Sequence, residues 1–299
     1  MSAVVVSQSA GARSQRRGLV GLLWRGAPIF VLVILAAVYL TPFVWMISTS
    51  LKTLPQSTAS PPVLVPNPLT FDAFPQAFER MEFLKGLANT LIYAVPSAIG
   101  TVISCSLVAY GFALIEWRGR NLVFLIVLAT LMLPSQVTLI PLYVIFAKLG
   151  WINTFLPLVV PTFLASAPGT AGGAFSVFLL RQFFLGIPRD LLDAARLDGS
   201  SEFGILARIV APLSIPALIT VALLTFIDKW NDFYGPLLYL QNRDLRTLSL
   251  SMQIFQSAHQ TEWPQTMAAS ILIALPLVAI YFAAQRKFIE GITLTGLKG

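Results

Sequence analysis

Long stretches without any charged residue alternate with short polar segments along this chain. Six windows contain no Asp, Glu, Lys or Arg, and the shortest of them has 19 residues. A helix needs about 20 apolar residues, each rising about 1.5 Å, to cross the hydrocarbon layer of a bilayer. The pattern therefore predicts an all-α polytopic membrane protein with six transmembrane helices, in the windows 26–51, 86–115, 121–147, 149–180, 209–227 and 263–285.

The composition agrees with a membrane-embedded chain. Of the 299 residues, 56% are hydrophobic and 11% are charged, whereas soluble domains average about 25% charged residues. Backbone groups find no water inside hydrocarbon, so helices are the expected state there, and the short alternating segments of a transmembrane barrel are absent from the pattern. The single cysteine, Cys105, lies in an apolar window and is expected to be a small buried hydrophobe.

The distribution of Lys and Arg predicts the orientation. With six spans both termini lie on one side, and assigning that side to the cytoplasm places 13 basic residues inside and seven outside. Cytoplasmic loops are enriched in Lys and Arg, so both termini are predicted to be cytoplasmic in a multi-pass protein of the cytoplasmic (inner) membrane. This placement explains the net charge of +7 without any nucleic-acid partner.

These assignments divide the chain into five segments. We expect a disordered cytoplasmic tail at 1–25, the first transmembrane helix at 26–51, an external loop at 52–85, a transmembrane core of five helices at 86–285, and a cytoplasmic tail at 286–299. The first window is longer than the apolar core of a secretory signal, so it is interpreted as a retained anchor. The N-terminal segment is poor in large apolar side chains, which favours disorder.

A charged segment at 187–216 separates the fourth and fifth windows and predicts helix, turn, helix. Pro188 fits the first turn of a helix, where a missing backbone N–H costs little. Residues 191–197 are mostly good helix formers. A turn dipeptide and a capping serine follow, at Asp198, Gly199 and either Ser200 or Ser201.

The same segment resembles the signature loop of the membrane subunits of ATP-binding-cassette (ABC) importers, which reads Glu-Ala-Ala, two residues, Asp-Gly-Ala and later Ile-x-Leu-Pro. The matching residues are Asp193, Ala194, Ala195, Asp198, Gly199, Ser200, Ile209, Ala211, Pro212, Leu213 and Pro216. Asp193, Ser200 and Ala211 stand where the pattern usually has Glu, Ala and Leu. The resemblance implies the transmembrane domain of a type I ABC importer. The alternative is an ordinary cytoplasmic loop whose alanines only favour a helix.

In that family the loop is a coupling helix that docks in a cleft of the ATP-hydrolysing subunit. The resemblance therefore implies that Asp193, Ala194, Ala195, Asp198 and Gly199 couple ATP hydrolysis to transport. Alanine would permit close approach, glycine the turn, and aspartate a polar contact. The implied partners are a second homologous permease subunit, two ATP-binding subunits and an external solute-binding protein, within the lipid bilayer.

Two later runs resemble the carbohydrate branch of this family, Trp230-Asn231-Asp232-Phe233 and Arg246-Thr247-Leu248. They imply a sugar or oligosaccharide substrate, and an external, receptor-facing loop that includes Trp230, Asn231 and Asp232. For Trp230 the alternative is an aromatic belt at headgroup depth. The same machinery importing a glycerol phosphate or a polyol is the alternative function.

The fourth window is rich in helix breakers. Broken helices often line substrate paths in transporters, because freed backbone groups must be satisfied inside protein. Small residues also let helices approach closely with no role in the path. Both interpretations stay open for Pro168, Gly169, Gly172 and Gly173.

Several catalytic patterns are absent from the sequence. There is no GxxxxGK[ST] phosphate loop and no HExxH motif. One histidine and one cysteine do not make a metal site. The chain is therefore predicted to be no enzyme, to carry no cofactor or metal, and to take its ATPase from partner subunits. A membrane enzyme or scaffold that does not transport is the competing hypothesis, and it predicts no ATP-binding partner.

Overall fold

All regular structure in the described part of the chain is helical, which confirms the all-α prediction. The computed structural model describes the backbone of residues 6–166, 172–255 and 262–296, and the side chains of 28–283 within those ranges except at position 135. The helices of eight or more residues are α1 Val6–Ser50, α2 Ala73–Arg80, α3 Phe83–Ala113, α4 Arg120–Ala129, α5 Ser135–Lys148, α6 Gly173–Phe184, α7 Arg189–Leu197, α8 Ile215–Asn231 and α9 Trp263–Gly296.

Shorter helical turns connect these elements. The α-helical ones are Leu54–Ser57, Leu156–Val159, Glu202–Ile205, Ala211–Leu213, Tyr234–Tyr239 and Leu248–Ser251. Four further turns have the tighter 3₁₀ geometry, at Thr130–Met132, Val160–Leu164, Arg243–Leu245 and Met252–Phe255. The segment Leu206–Val210 is a π-helix.

Three of the six predicted spans are single helices. They are Pro28–Ser50 within α1, the whole of α3, and Trp263–Ala283 within α9, all long and apolar enough to cross a membrane. α1 itself begins at Val6, inside the segment predicted to be a disordered tail, so its backbone differs from that prediction. Serine, alanine and arginine are tolerated in a helix, and the following apolar residues continue the same helix.

Two other predicted spans are bent pairs of helices. Arg120–Met132 and Gln136–Lys148 meet at 100°, and Glu202–Leu213 and Ile215–Asn231 meet at 84°. Pro134 lies in the first break, and proline has no N–H with which to continue the helical ladder. The described residues therefore contain five candidate spans if each bent pair counts as one, rather than six continuous helices.

The fourth window contains no long helix in its described part. It folds as two short turns followed by α6, whose 12 residues rise about 18 Å, less than the hydrocarbon thickness. Pro157 and Pro161 lie in the first turn of the two short elements. Backbone groups freed by this irregularity are bonded to α3: the Ser104 hydroxyl donates to the Thr162 carbonyl at 2.7 Å and accepts from the Ala165 N–H at 3.1 Å.

Helix α3 is the centre of the fold and packs against both α6 and α8. Its buried face is rich in small side chains, which let the neighbouring backbones approach closely. At Gly100 an added Cβ would lie 2.6 Å from the Thr162 hydroxyl. Cys105 lies on the same buried face, as predicted.

Two sets of polar contacts between distant segments lie at opposite ends of α3. At one end Arg189 pairs with Glu116 at 3.0 Å. At the other end the Asn89 amide donates to the carbonyl oxygens of Asp244, at 2.8 Å, and Arg246, at 3.0 Å. The loops 114–119 and 187–201 therefore share one side of the helices, and the loop after α8 lies on the other, which agrees with the predicted alternation of loops.

Candidate functional site

Helix α7 ends in the turn that the sequence predicts. Gly199 has φ +79°, in the left-handed region. Its N–H donates to the Arg196 carbonyl at 3.0 Å, and the Ser200 N–H donates to the Ala195 carbonyl at 3.0 Å. This pair of bonds is a Schellman motif, which satisfies the last carbonyl groups of a helix. Glycine is therefore needed here for its backbone angle, because an added Cβ would meet nothing within 4 Å.

The second helix of the segment begins where a serine was expected to cap it. The Ser201 hydroxyl accepts a hydrogen bond from the Gly204 N–H at 3.2 Å, which identifies Ser201, rather than Ser200, as the cap. The chain continues through the π-helical turn to Leu213 and then bends by 84° into α8. The turn after α7 is thus connected directly to a long apolar helix.

A polar cluster around Arg196 holds α7 to the core. The Arg196 guanidinium binds Glu202 through two hydrogen bonds, at 2.9 and 3.3 Å, and Asp193 at 3.0 Å. Glu202 also accepts a hydrogen bond from the Tyr110 hydroxyl at the end of α3. The bonds from Arg196 and then Tyr110 lower the pKa of the Glu202 carboxyl, and Glu202 raises the pKa of Arg196.

One face of α7 is part of the hydrophobic core. Leu192 and Ala195 are buried in the cluster that also contains residues of α3, α6 and α8. A displacement of α7 must therefore change its packing against three other helices, because protein cores are close-packed. The two alanines of the signature differ: Ala195 packs inward, whereas Ala194 is exposed.

The opposite face of α7 presents apolar side chains to the surroundings. Leu197 is 89% exposed and Phe203, just beyond the turn, is 69% exposed. Asp193, Ala194, Asp198 and Gly199 are also exposed. The signature pattern did not single out Leu197 or Phe203. Their signal was an apolar residue within a charged segment: Leu197 ends α7, and Phe203 lies in the short helix Glu202–Ile205. Exposed apolar groups beside charges are typical of a protein-docking surface.

Gly173, one of the predicted path glycines, has a packing role in this structure. Gly172 and Gly173 are buried, and a Cβ on Gly173 would lie 1.7 Å from the Ala165 carbonyl oxygen. The absent side chain lets the irregular segment lie directly on the start of α6, which favours the close-approach interpretation over path lining. Pro168 and Gly169 lie outside the described residues.

The predicted receptor-facing residues occupy three different environments. Trp230 is 1% exposed, its indole N–H donates to the Ile273 carbonyl at 3.3 Å, and it packs on Phe226. The predictions that it faces a receptor or lies in an interfacial belt are therefore corrected: inward packing of α8 against α9 places it in the core. Asn231 is exposed, with its amide bonded to the Ile227 carbonyl.

Asp232 is a structural junction. Its carboxylate accepts from the Tyr93 hydroxyl at 2.6 Å and from the Gly235 N–H at 3.1 Å, so it joins α3 to the end of α8 and to the following short helix. Within the described residues no group of three or more His, Cys, Asp or Glu side chains is arranged to hold a metal ion. The geometry offers a docking surface rather than a reaction centre.

The long apolar helices and the exposed, core-anchored α7 together describe a membrane protein with a docking surface at one end of its helices. The chain belongs to the family described as the binding-protein-dependent transport system inner membrane component, whose model matches residues 98–293. This confirms the resemblance drawn from the signature loop. Members are permease subunits of ABC transporters and not themselves enzymes, since the ATPase resides in partner subunits.

Curated relatives cover most of this chain. It is 30% identical over 285 residues to the arabinooligosaccharides transport system permease protein AraQ of Bacillus subtilis, covering 93% of this chain and 97% of the relative. It is 34% identical over 271 residues to the trehalose/maltose transport system permease protein MalG of Thermococcus litoralis, covering 89% and 94%. The diacetylchitobiose uptake system permease protein DasC of Streptomyces coelicolor is 28% identical over 286 residues, covering 95% and 100%.

A solved structure shows the same fold. A chain of a bacterial ABC transporter involved in the import of the acidic polysaccharide alginate matches with a TM-score of 0.75 and 22% identity, over 89% of this chain and 96% of that chain. At that identity the likeness concerns the fold alone. The chain therefore has the transmembrane fold of a type I ABC importer.

Proposed function

We propose that this chain is one permease subunit of an ATP-driven importer of a sugar or oligosaccharide in the cytoplasmic membrane. The observation that carries the proposal is the α7 surface, which exposes Leu197 and Phe203 while its other face is built into the core. Relatives named for arabinooligosaccharides, trehalose/maltose and diacetylchitobiose support a carbohydrate as the substrate.

The proposed assembly contains a second homologous permease, two ATP-binding subunits and an external solute-binding protein. Six membrane crossings with both termini in the cytoplasm agree with the distribution of basic residues, provided that the irregular fourth segment crosses together with α6. The alignment of relatives over nearly their full lengths supports one transmembrane unit. The loop 187–216 then faces the ATP-binding subunits.

Coupling follows from the two faces of α7. ATP biases only those states that it binds differently, so the docked helix must remain attached while the ATP-binding subunits change their arrangement. The exposed Ala194 and Leu197 contact the partner, and the buried Ala195 and Leu192 pass the displacement to the spans. Gly199 sets the angle between the two helices. Asp193 acts within the chain, since Arg196 holds its carboxylate.

A docking test compares two exposed leucines on opposite sides of the fold. Leu197→Glu places a charge on the proposed docking face, and Leu64→Glu places one in the external loop, where Leu64 is 70% exposed. The Leu197 variant is expected to lose co-purifying ATP-binding subunits, and the Leu64 variant to retain them. Equal recovery of those subunits with both variants would contradict the proposed docking face.

The substrate class is tested separately. Ligand binding by the external solute-binding protein, measured with oligosaccharides, glycerol phosphates and polyols, is expected to select an oligosaccharide. Selection of a glycerol phosphate or a polyol would keep the transport mechanism and replace the substrate.

A further inference from the structure

A surface cleft lies at the end of α3, near the loop 187–216. Its volume is about 320 Å³, and its lining residues are Glu116, Trp117, Gly119, Arg120, Asn121 and Leu122. It joins the loop after α3 to the start of α4. The ion pair between Glu116 and Arg189, the first residue of α7, places the cleft on the same side of the fold as α7.

The cleft lies in a region of uncompensated positive charge. Arg118 is exposed, Arg120 forms one side of the cleft, and the charge of Arg120 acts unfavourably on Arg181 of α6. Glu116 also lines the cleft, but its carboxylate pairs with Arg189 at 3.0 Å. Among the described residues none of these three arginines forms an ion pair. An anion between like charges removes their repulsion and gains charge-assisted hydrogen bonds.

Two of these arginines are held in place by hydrogen bonds and keep further N–H donors for a ligand. The Arg181 Nε donates to the Phe112 carbonyl at 3.1 Å, and its guanidinium lies over the Phe124 ring at 4.2 Å. An Arg120 Nη1 donates to the Ile115 carbonyl at 3.0 Å. A guanidinium carries five N–H donors, and among the described residues each of these side chains uses one. Fixed guanidinium groups suit phosphate, which they bind through paired hydrogen bonds.

The walls of the cleft match the boundary of a membrane. Trp117 is 42% exposed and its indole N–H donates to the Gly111 carbonyl at 3.1 Å, which leaves an amphipathic ring at the end of a span. Directly below, α4 exposes the apolar side chains of Leu122, Leu125 and Ile126. A polar, basic cleft above an apolar helix face fits a molecule with an anionic head and hydrocarbon tails better than a free ion.

We infer that this cleft binds the phosphate headgroup of an anionic phospholipid of the cytoplasmic leaflet, with the acyl chains along α4. The inference rests on the proposed orientation of the chain in the membrane. Basic pockets between helices on the cytoplasmic side are suited to such headgroups. Because Glu116 joins the cleft to Arg189, the bound lipid lies next to the coupling helix.

Lipid retention by the assembled transporter tests the inference. The complex with its ATP-binding subunits is exchanged into equimolar phosphatidylglycerol and phosphatidylcholine, delipidated and examined by native mass spectrometry. Wild type is expected to retain phosphatidylglycerol preferentially. Arg120→Gln should lower that retention about fivefold, the effect of one basic residue near an anionic surface. Arg120→Lys keeps the charge but loses the paired donors, so it should restore retention only in part, and Arg243→Gln on the opposite side should leave it unchanged.

Asn121→Glu provides a second test that does not depend on removing an arginine. Asn121 is exposed, so the substitution leaves the fold intact while placing a carboxylate in the cleft, and it should lower retention as well. Equal retention by wild type, Arg120→Gln and Asn121→Glu overturns the inference, as does equal stabilisation of wild type by inorganic phosphate without lipid. Loss of the ATP-binding subunits from every sample is a different result, which counts against the proposed function.

Discussion

Gly199→Val isolates the contribution of one backbone angle to coupling. Gly199 has φ +79°, and an added Cβ finds no atom within 4 Å, so the main effect of the substitution is on the backbone angle. The left-handed conformation costs an ordinary L residue about 1–2 kcal/mol. That cost changes the ratio between the native turn and its alternatives by about 5- to 30-fold. The second helix should therefore lose its fixed angle to α7.

The assay compares ATP hydrolysis with substrate uptake in proteoliposomes that contain the complete transporter. Gly199→Val is expected to assemble normally and hydrolyse ATP, while uptake falls by up to the same factor, about 5- to 30-fold. Gly199→Asn is the matched control, because asparagine tolerates the left-handed region, and its uptake should stay near that of wild type. The reasoning is refuted if Gly199→Val transports as well as wild type, or if both variants are equally impaired.

Three further predictions concern the structure around the site. Gly173→Ala places a Cβ 1.7 Å from the Ala165 carbonyl oxygen, so it should destabilise the permease by about 1–3 kcal/mol, seen as a lower melting temperature in detergent. Leu192→Ala should cost about 2–5 kcal/mol, because this side chain is buried in the core cluster. The stabilising bond of Glu202 with Arg196 should be lost as pH falls below the usual glutamate range, and hydrogen exchange in α7 should then rise.

The sign of the pH effect follows from the lowered pKa of Glu202. A carboxyl with a depressed pKa in the folded state contributes stability above its unfolded pKa, about 4.3, and loses it as pH falls through the folded value. Glu202→Gln should flatten this dependence; an identical pH profile in the variant would argue against the pairing.

For Gly173→Ala the control is Gly111→Ala, whose Cβ meets nothing within 4 Å. Equal melting temperatures for these two variants would contradict the prediction for Gly173.

The turn after α7 could be predicted from the sequence because it depends on short-range interactions. The positive φ of Gly199 and the cap at Ser201 depend on residues only a few positions apart. The breaks in the spans were only partly predictable. The number of prolines predicted an irregular fourth window. In the third window the single Pro134 did not predict that the two helices would meet at 100°.

Contacts between distant segments explain what the sequence did not reveal. The hydrogen bond from Tyr110 to Glu202 joins residues 92 positions apart, and no spacing rule connects them. Trp230 was misplaced for the same reason, since its burial depends on how α8 packs against α9. The exposure of Leu197 became visible only when the buried face of α7 was known.

We propose that α7 faces the compartment in which ATP-binding subunits reside. A cysteine at the exposed Ala194, in a Cys105→Ala background, reports this directly with a membrane-impermeant thiol reagent. We expect labelling in inverted membrane vesicles, blocked when the ATP-binding subunits are bound, and no labelling of intact cells. Labelling from the outside of intact cells, with none in inverted vesicles, would contradict it.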